Sequence, residues 1–504
     1  MKTCAIAAAI LLGIAVPAKS EVLPQWSDML QHDNRRAVTR LQSIIARRSS
    51  SKDGLAELDR LLATVPDRTR VRGLVQFFRA GCLMILDRHP EAVEAIDEAI
   101  MLMPGYSLPH VLASQLHAYS DRPDRAADHL LTATAIDREI VEHIEDYDIA
   151  GLLSRLDEQG NRQKLLAVSE RLIETEWSKG KSATRSRMAM AVIEQRLARD
   201  ADRAGAMLQH VSRPSDVYKI LTEERFTPLR SAAIALAGER LDRLWVAHLD
   251  EERGRWERSG DGEDGISYAR ALLRAGQERK LVATFLPVIA DDVEAPDAAF
   301  LITFVGDGLA RLGRWDEVDA LYAKATTAWP LGKQANAINV AANRGRLLVM
   351  RGKHAEGLAQ IDAALADASA WGGEVNSGAV GALHFYRACA LGQLGRKGEA
   401  AGSLAYVANR RRVDVRDYVD LLLCMDDPET ARAALLEGLD QEPARAQVVA
   451  WMQPADFVFD SDFARSVTGR ADQLRQDPKL RRAVSRHGRL LDWSVSAGAP
   501  ADAD

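Results

Sequence analysis

Several things are missing from this chain, and each absence excludes a class. Its 504 residues carry only four cysteines, too sparse for a disulfide framework. Basic residues do not exceed acidic ones (66 against 72, net charge −6), which argues against a dedicated nucleic-acid binder. Beyond the N-terminus no apolar run reaches the ~18 residues of a membrane span. No sustained strand alternation with hairpin turns occurs. There is no Gly-x-Ser-x-Gly elbow, no phosphate-binding Gly-x-x-x-x-Gly-Lys-Ser/Thr loop and no His-Glu-x-x-His. At 47% hydrophobic and 27% charged residues, the chain is nonetheless too apolar for wholesale disorder.

The N-terminus has one apolar stretch, Cys4 to Val16, behind the single positive charge of Lys2. Pro17 ends any helix there, and Ala18-Lys19-Ser20 places small residues where a signal peptidase needs them. Residues 1–20 therefore read as a secretory signal peptide cleaved after Ser20, giving a periplasmic or secreted protein. Losing Lys2 and Lys19 takes the net charge from −6 to −8. Cys4 precedes the apolar core, so the layout is not that of a lipoprotein.

Alanine, leucine, arginine and glutamate dominate the remainder, and these are good helix formers. Short turns punctuate the helices at Asp121-Arg122-Pro123, Gly160-Asn161, Gly276-Gln277, Gly313-Arg314, Gly352-Lys353, Gly395-Arg396 and Asp426-Asp427-Pro428. Ala92, Ile96 and Ala99, followed by Pro104, are echoed 34 residues later by Ala126, Leu130 and Ala133. A small–large–small stripe at four- and three-residue steps is one face of a helix, and its recurrence at this period marks a stack of helical hairpins.

On these residues the chain resembles tetratricopeptide repeat (TPR) proteins. The best unit runs from Phe300 to Pro330: Gly306 and Leu309 on the first helix, Gly313 in the turn, Tyr322, Ala325 and Pro330 on and after the second. Val318 departs from the usual alanine. Looser units hold Gly352, Gly357, Ile361 and Ala364; Ala388, Leu391, Gly395, Ala400 and Leu404; and Ala431, Leu435 and Gly438. The second-helix anchors Val318, Gly357, Ala400 and Ala431 are 39, 43 and 31 residues apart, so the repeat is degenerate. The resemblance implies an all-α fold, an α-α superhelix (TPR-like solenoid) of stacked helical hairpins, right-handed as in the family. Three cysteines remain after cleavage, Cys82, Cys389 and Cys424, each in an apolar helical pattern and each read as a small buried hydrophobe. Cys389 and Cys424 lie in neighbouring repeats, so a bridge between them stays open in an oxidising compartment.

Two stretches fall outside the repeats. Glu223 to Arg230 resembles a short linker of some bacterial repeat proteins, with a Phe-x-x-Leu after a helix end. Ser259-Gly260-Asp261-Gly262-Glu263-Asp264-Gly265 reads as a flexible loop and a lobe boundary; its acids lack the later ligands of a calcium loop. The expected organisation is a signal peptide 1–20, an N-terminal helical-repeat lobe 21–258, a C-terminal TPR-like lobe 266–454, a helical cap 455–494 and a flexible tail 495–504.

No catalytic residue, cofactor or metal ligand is assigned. His110 and His117 share a helix face and His129 follows on the next helix, but no cysteine or acid joins them at a metal-binding spacing; they read as core-edge residues. His143 to Asp148 reads as a wet helix face and Arg410-Arg411-Arg412 as a solvated turn. In this family the first helix of each hairpin lines a groove. Projecting the better units places Thr303, Asp307, Arg311, Asn339, Arg346, Gln393, Arg416 and Asp420 there, with arginines suited to carboxylates. The reading is an exported scaffold or adaptor, not an enzyme, offering a concave groove to a protein or peptide partner. Nucleic acid is not a partner, and the mature chain has no integral membrane span. The alternative is a transient envelope assembly or biogenesis factor; behind both stands an enzyme with a non-local site.

Overall fold

The computed structural model describes residues 35–46, 51–177, 180–371, 375, 377–411, 414–442 and 444–502. The expected signal peptide, with Cys4, lies outside them, as does Arg412. Among the described residues every regular element is a helix, and none is long and apolar enough to cross a membrane.

The helices fall into two compact units, divided between Val211 and Ser212. In the first, α1 (Arg35–Ala46) and α2 (Ser51–Leu62) precede the hairpins α3 (Arg70–Ile85)/α4 (His89–Leu102), α5 (Ser107–Tyr119)/α6 (Pro123–Ile136), α7 (Asp146–Glu158)/α8 (Arg162–Glu174) and α9 (Ser182–Arg196)/α10 (Ala201–Ala206). The second begins with α11 (Pro214–Thr222), α12 (Arg230–Ala237) and α13 (Asp242–Ser259). It continues with the hairpins α14 (Gly262–Ala275)/α15 (Glu278–Asp291), α16 (Ala298–Arg311)/α17 (Trp315–Ala328), α18 (Asn336–Met350)/α19 (His354–Trp371), α20 (Ser377–Gln393)/α21 (Lys397–Asn409) and α22 (Val415–Cys424)/α23 (Pro428–Leu439). It ends with α24 (Ala444–Trp451), α25 (Asp462–Arg475) and α26 (Pro478–Val484).

The hairpins form for reasons visible in the turns. At Gly313 the chain takes φ +70°, which glycine accepts without a Cβ penalty. There the Arg314 amide donates to Leu309 O at 2.9 Å and the Gly313 amide to Ala310 O at 3.3 Å, the paired bonds that close a helix C-terminus. The same turn recurs with aspartate in the left-handed position at Asp121 and Asp426, each followed two residues on by a proline that opens the next helix. Within each hairpin the small–large–small stripe is buried: Ala92, Ile96, Ala99, Ala126, Leu130 and Ala133 are at most 1% exposed. Gly306 lies against Tyr322, where a Cβ would come 2.8 Å from the ring. First helices pack on one another through α14, α16, α18, α20 and α22, as a stack of hairpins requires.

The disulfide left open by the sequence is formed. Cys389 on α20 and Cys424 on α22 are bonded, with Cα atoms 5.5 Å apart, and both side chains are buried.

Three expectations about organisation are corrected. The glycine-aspartate stretch 259–265 is neither a flexible loop nor a boundary. Gly260 turns the chain at φ +60°, Asp261 caps α14 through the Glu263 amide at 2.9 Å, and Ser259 Oγ donates to Asp264 at 2.7 Å. Acids in the first turn of a helix suit its positive end, and α13 and α14 pack against each other across this turn; the compact units divide at 211/212 rather than at 258–266. The cap 455–494 is helical only at α25 and α26. The tail is tied down through residue 502: Trp245 Nε1 donates to Val495 O at 2.7 Å, Gln277 Nε2 to Pro500 O at 2.9 Å, and Asp502 receives the Arg279 amide at 2.7 Å. A carboxylate there caps α15 from outside. The linker 223–230 does bury its Phe-x-x-Leu pair, with Phe226 at 0% and Leu229 at 4% exposure.

His248 on α13 is the clearest acid-sensitive group of the second unit. Burial pulls its pKa down to about 4, an effect that the nearby Arg213 and Arg274 charges reinforce and Glu251 opposes. Unfolded histidine titrates near 6.5. The unfolded state therefore takes up a proton first as pH falls, and stability present above about pH 6.5 is lost between there and pH 4. The expected loss is on the order of 3 kcal/mol at most. Urea unfolding at a series of pH values should show it, and H248N should flatten that part of the profile; an unchanged slope in H248N would assign the acid sensitivity elsewhere.

Candidate functional site on the inner face of the second unit

The inner face is built from the first helices of successive hairpins. At its centre Asp307 on α16 and Arg346 on α18 form an ion pair whose side chains are each only 14% exposed. Arg346 Nε also donates to Asn343 Oδ1 at 3.2 Å. Asn343 Nδ2 in turn donates to Thr303 Oγ1 at 3.0 Å and to Asn339 O at 2.8 Å. Burial alone would weaken the Arg346 charge, but the Asp307 carboxylate outweighs it and holds the guanidinium pKa above its ordinary value. Burial pushes the Tyr322 and Tyr386 hydroxyls beside this pair upward, so they stay protonated.

Toward α22 the face turns acidic. Asp420 Oδ1 accepts from Trp451 Nε1 at 2.7 Å, and burial raises its pKa. Asp417 is pushed up to about 6 by burial and then by the charges of Asp414 and Asp420. Toward α14 the face turns basic. Arg270 and Arg274 stand one helical turn apart on α14 and so share a face. Burial, then the positive charges of Arg213 and Arg270, pulls Arg274 down to about 10 against the opposing charge of Asp216, and burial and Arg213 lower Arg270 against that of Glu252. The Arg270 guanidinium lies 5.6 Å from the Phe304 ring centre. Among the described residues neither arginine has a hydrogen bond or close ion pair, although both reach solvent.

The eight residues projected from the sequence thus separate. Thr303, Asp307, Asn339 and Arg346 join one network. Arg311 stands at the edge, donating to Leu273 O at 2.9 Å and pairing with Glu278 at 3.1 Å. Gln393 donates to Cys424 O and spans two hairpins. Arg416 is exposed at the acidic end, near Asp420.

Part of this face is already covered by the chain itself. After α24 the irregular residues 454–461 run back along the C-terminal ends of α14, α16 and α18. Phe457 sits 4.6 Å from the Arg311 guanidinium and Phe459 5.5 Å from that of Arg346. The Asp460 amide donates to Ala310 O at 3.1 Å, Trp315 Nε1 donates to Asp460 O at 2.8 Å, and Ser461 Oγ donates to Met350 O. Gly276 makes the approach of Phe457 feasible, since a Cβ there would come 2.6 Å from its ring. Sequence reasoning missed this occupant, and it missed Arg270 and Arg274. The alternating Phe457 and Phe459 were the available signal, but nothing local says that they fold back over repeats more than a hundred residues earlier.

No protein-family profile matches the chain, and no curated protein sequence does. Solved structures similar to it include yeast Tom70, at 13% identity over 90% of this chain and 99% of that one with a TM-score of 0.33. Cut9–Hcn1, an APC/C hetero-tetramer, matches at 12% identity over 90% of this chain and all of that one, with a TM-score of 0.30. The TPR domain of P58(IPK) matches at 12% over 72% of this chain and 98% of that one, with a TM-score of 0.20.

Proposed function

We propose that the chain is an exported, non-enzymatic scaffold that holds an anionic segment of a protein partner on the inner face of its second unit. The observation that carries this reading is the pair Arg270 and Arg274. Two exposed guanidinium groups stand one turn apart beside Arg213, with no close ion pair of their own among the described residues and only partial compensation from Glu252 and Asp216; an added anion relieves that excess of positive charge, and arginine binds carboxylates in bidentate fashion. Residues 454–461 support it, because the neighbouring part of the face already accepts a stretch of polypeptide with aromatic rings stacked on arginine. The Cys389–Cys424 bond supports export, since such bonds persist mainly in oxidising compartments. Arg311 and Arg346 then belong to the protein's own packing, and the partner is read by the α14 end.

Fluorescein-labelled peptides rich in Asp and Glu should bind the full chain, as followed by anisotropy, and neutral peptides of the same length should not. R270E/R274E should weaken binding at least tenfold and remove most of its salt dependence. Equal binding by parent and variant, or no binding of any acidic peptide, would end this reading.

A further inference from the structure

The first unit brings together residues that no local spacing connects. Asp97 on α4, His117 on α5 and His129 on α6 come from three successive helices, and one ligand atom from each lies within 4.8 Å of the others. His117 is 5% exposed, and its Nδ1 is buried with no hydrogen-bond partner, a condition that costs free energy unless something satisfies it. His129 is held from behind: its Nδ1 lies 3.1 Å from Nδ1 of His110, which is itself buried at 7% exposure. With Nδ1 engaged in that bond, His129 has Nε2 left to offer. A histidine whose second nitrogen is tied by an outer group is the usual form of a metal-binding imidazole.

We propose that Asp97, His117 and His129 form a site for a divalent transition-metal ion of the zinc class, with His110 as the residue that positions His129. Two imidazole nitrogens and one carboxylate oxygen suit zinc rather than calcium or magnesium, which take oxygen ligands. Three protein ligands leave a fourth position to water. The ligand atoms need to close by up to about 1.5 Å to reach tetrahedral spacing, given zinc–nitrogen distances of ~2.0–2.1 Å, and Asp97, exposed on its helix, has the freedom to do so. The carboxylates of Asp124 and Asp128 lie in the same field and offset Arg122 and Arg125. The ion would tie α4, α5 and α6 together across two hairpins.

The test is calorimetric titration of the metal-free full chain with Zn2+, paired with Co2+ absorption to read the ligand set. One equivalent of zinc is expected, with tetrahedral cobalt bands. D97A, at an exposed position that keeps the fold intact, and H129A should each weaken zinc at least tenfold and abolish those bands. H110A should weaken zinc about tenfold while leaving the cobalt bands in place, which separates a positioning residue from a ligand. Absence of zinc uptake, or zinc affinity unchanged in both D97A and H129A, would overturn the proposal.

Discussion

Replacing Asp307 by alanine is expected to destabilise the second unit by about 3–5 kcal/mol, the usual cost of leaving one member of a buried ion pair without its partner. The pair is nearly closed to water, each side chain being 14% exposed, so solvent cannot take over the role of the lost carboxylate. Arg346 would keep its bonds to Asn343 and its place near Phe459, and those contacts would hold the uncompensated charge in place. Removing both charges tests the argument from the other side. D307A/R346M should recover most of the loss, because an apolar pair of similar volume avoids the desolvation penalty altogether. Urea unfolding followed by tryptophan fluorescence gives both numbers. A loss below about 1 kcal/mol in D307A would mean that the pair behaves as an exposed one.

Removing the disulfide should be comparably costly. The bond closes a loop of sequence separation 35, and the chain-entropy relation gives about 4 kcal/mol for a loop of that size. C389A/C424A should therefore unfold at markedly lower urea than the parent. Reductant should then lower the parent's midpoint and leave that of the variant unchanged. Both sulfurs are buried, so native protein should resist mild reduction. Mass spectrometry of unreduced proteolytic fragments provides the direct check: a linked pair of peptides carrying Cys389 and Cys424 is expected, and free thiols at both positions in protein isolated from its compartment would contradict it. Cys82 stays a thiol. Burial, then the charge of Asp59, raises its pKa to about 11, which keeps it protonated and unreactive at neutral pH.

The two experiments bear on different parts of the same wall. The ion pair joins α16 to α18, and the disulfide joins α20 to α22. Stability in a stack of repeats is roughly a sum of local terms and neighbour terms. Each variant should accordingly loosen its own interface more than distant ones, and hydrogen exchange along the second unit would display that locality.

What the amino-acid sequence determined by itself was local. Helix period, the small–large–small stripe and the left-handed turn residues are encoded within about 15 consecutive residues. Gly276, Gly313, Gly352 and Gly395 marked their turns because only the backbone conformation is at stake. The stack of hairpins followed, since each apolar stripe needs a neighbour to cover it. That Thr303 and Asp307 share one side of their helix was also legible, because a helix face is a matter of spacing. The 259–265 stretch was misread for the same reason: glycine and aspartate serve loops and tight helix turns equally, and only packing of α13 on α14 distinguishes them.

The tertiary structure alone decided the long-range pairings. Residues 454–461 and 487–502 return over helices begun more than a hundred residues earlier, and no periodic signal encodes such a return. It decided that Arg311 and Arg346 are engaged by the chain's own phenylalanines, whereas Arg270 and Arg274 make no close ion pair among the described residues. It also set Asp97 beside His117 and His129, three side chains from three helices. The physical reason is common to all of these: a helix face is set by covalent geometry over a few residues, whereas a site is set by which faces meet, and that depends on how the whole stack covers its apolar surface.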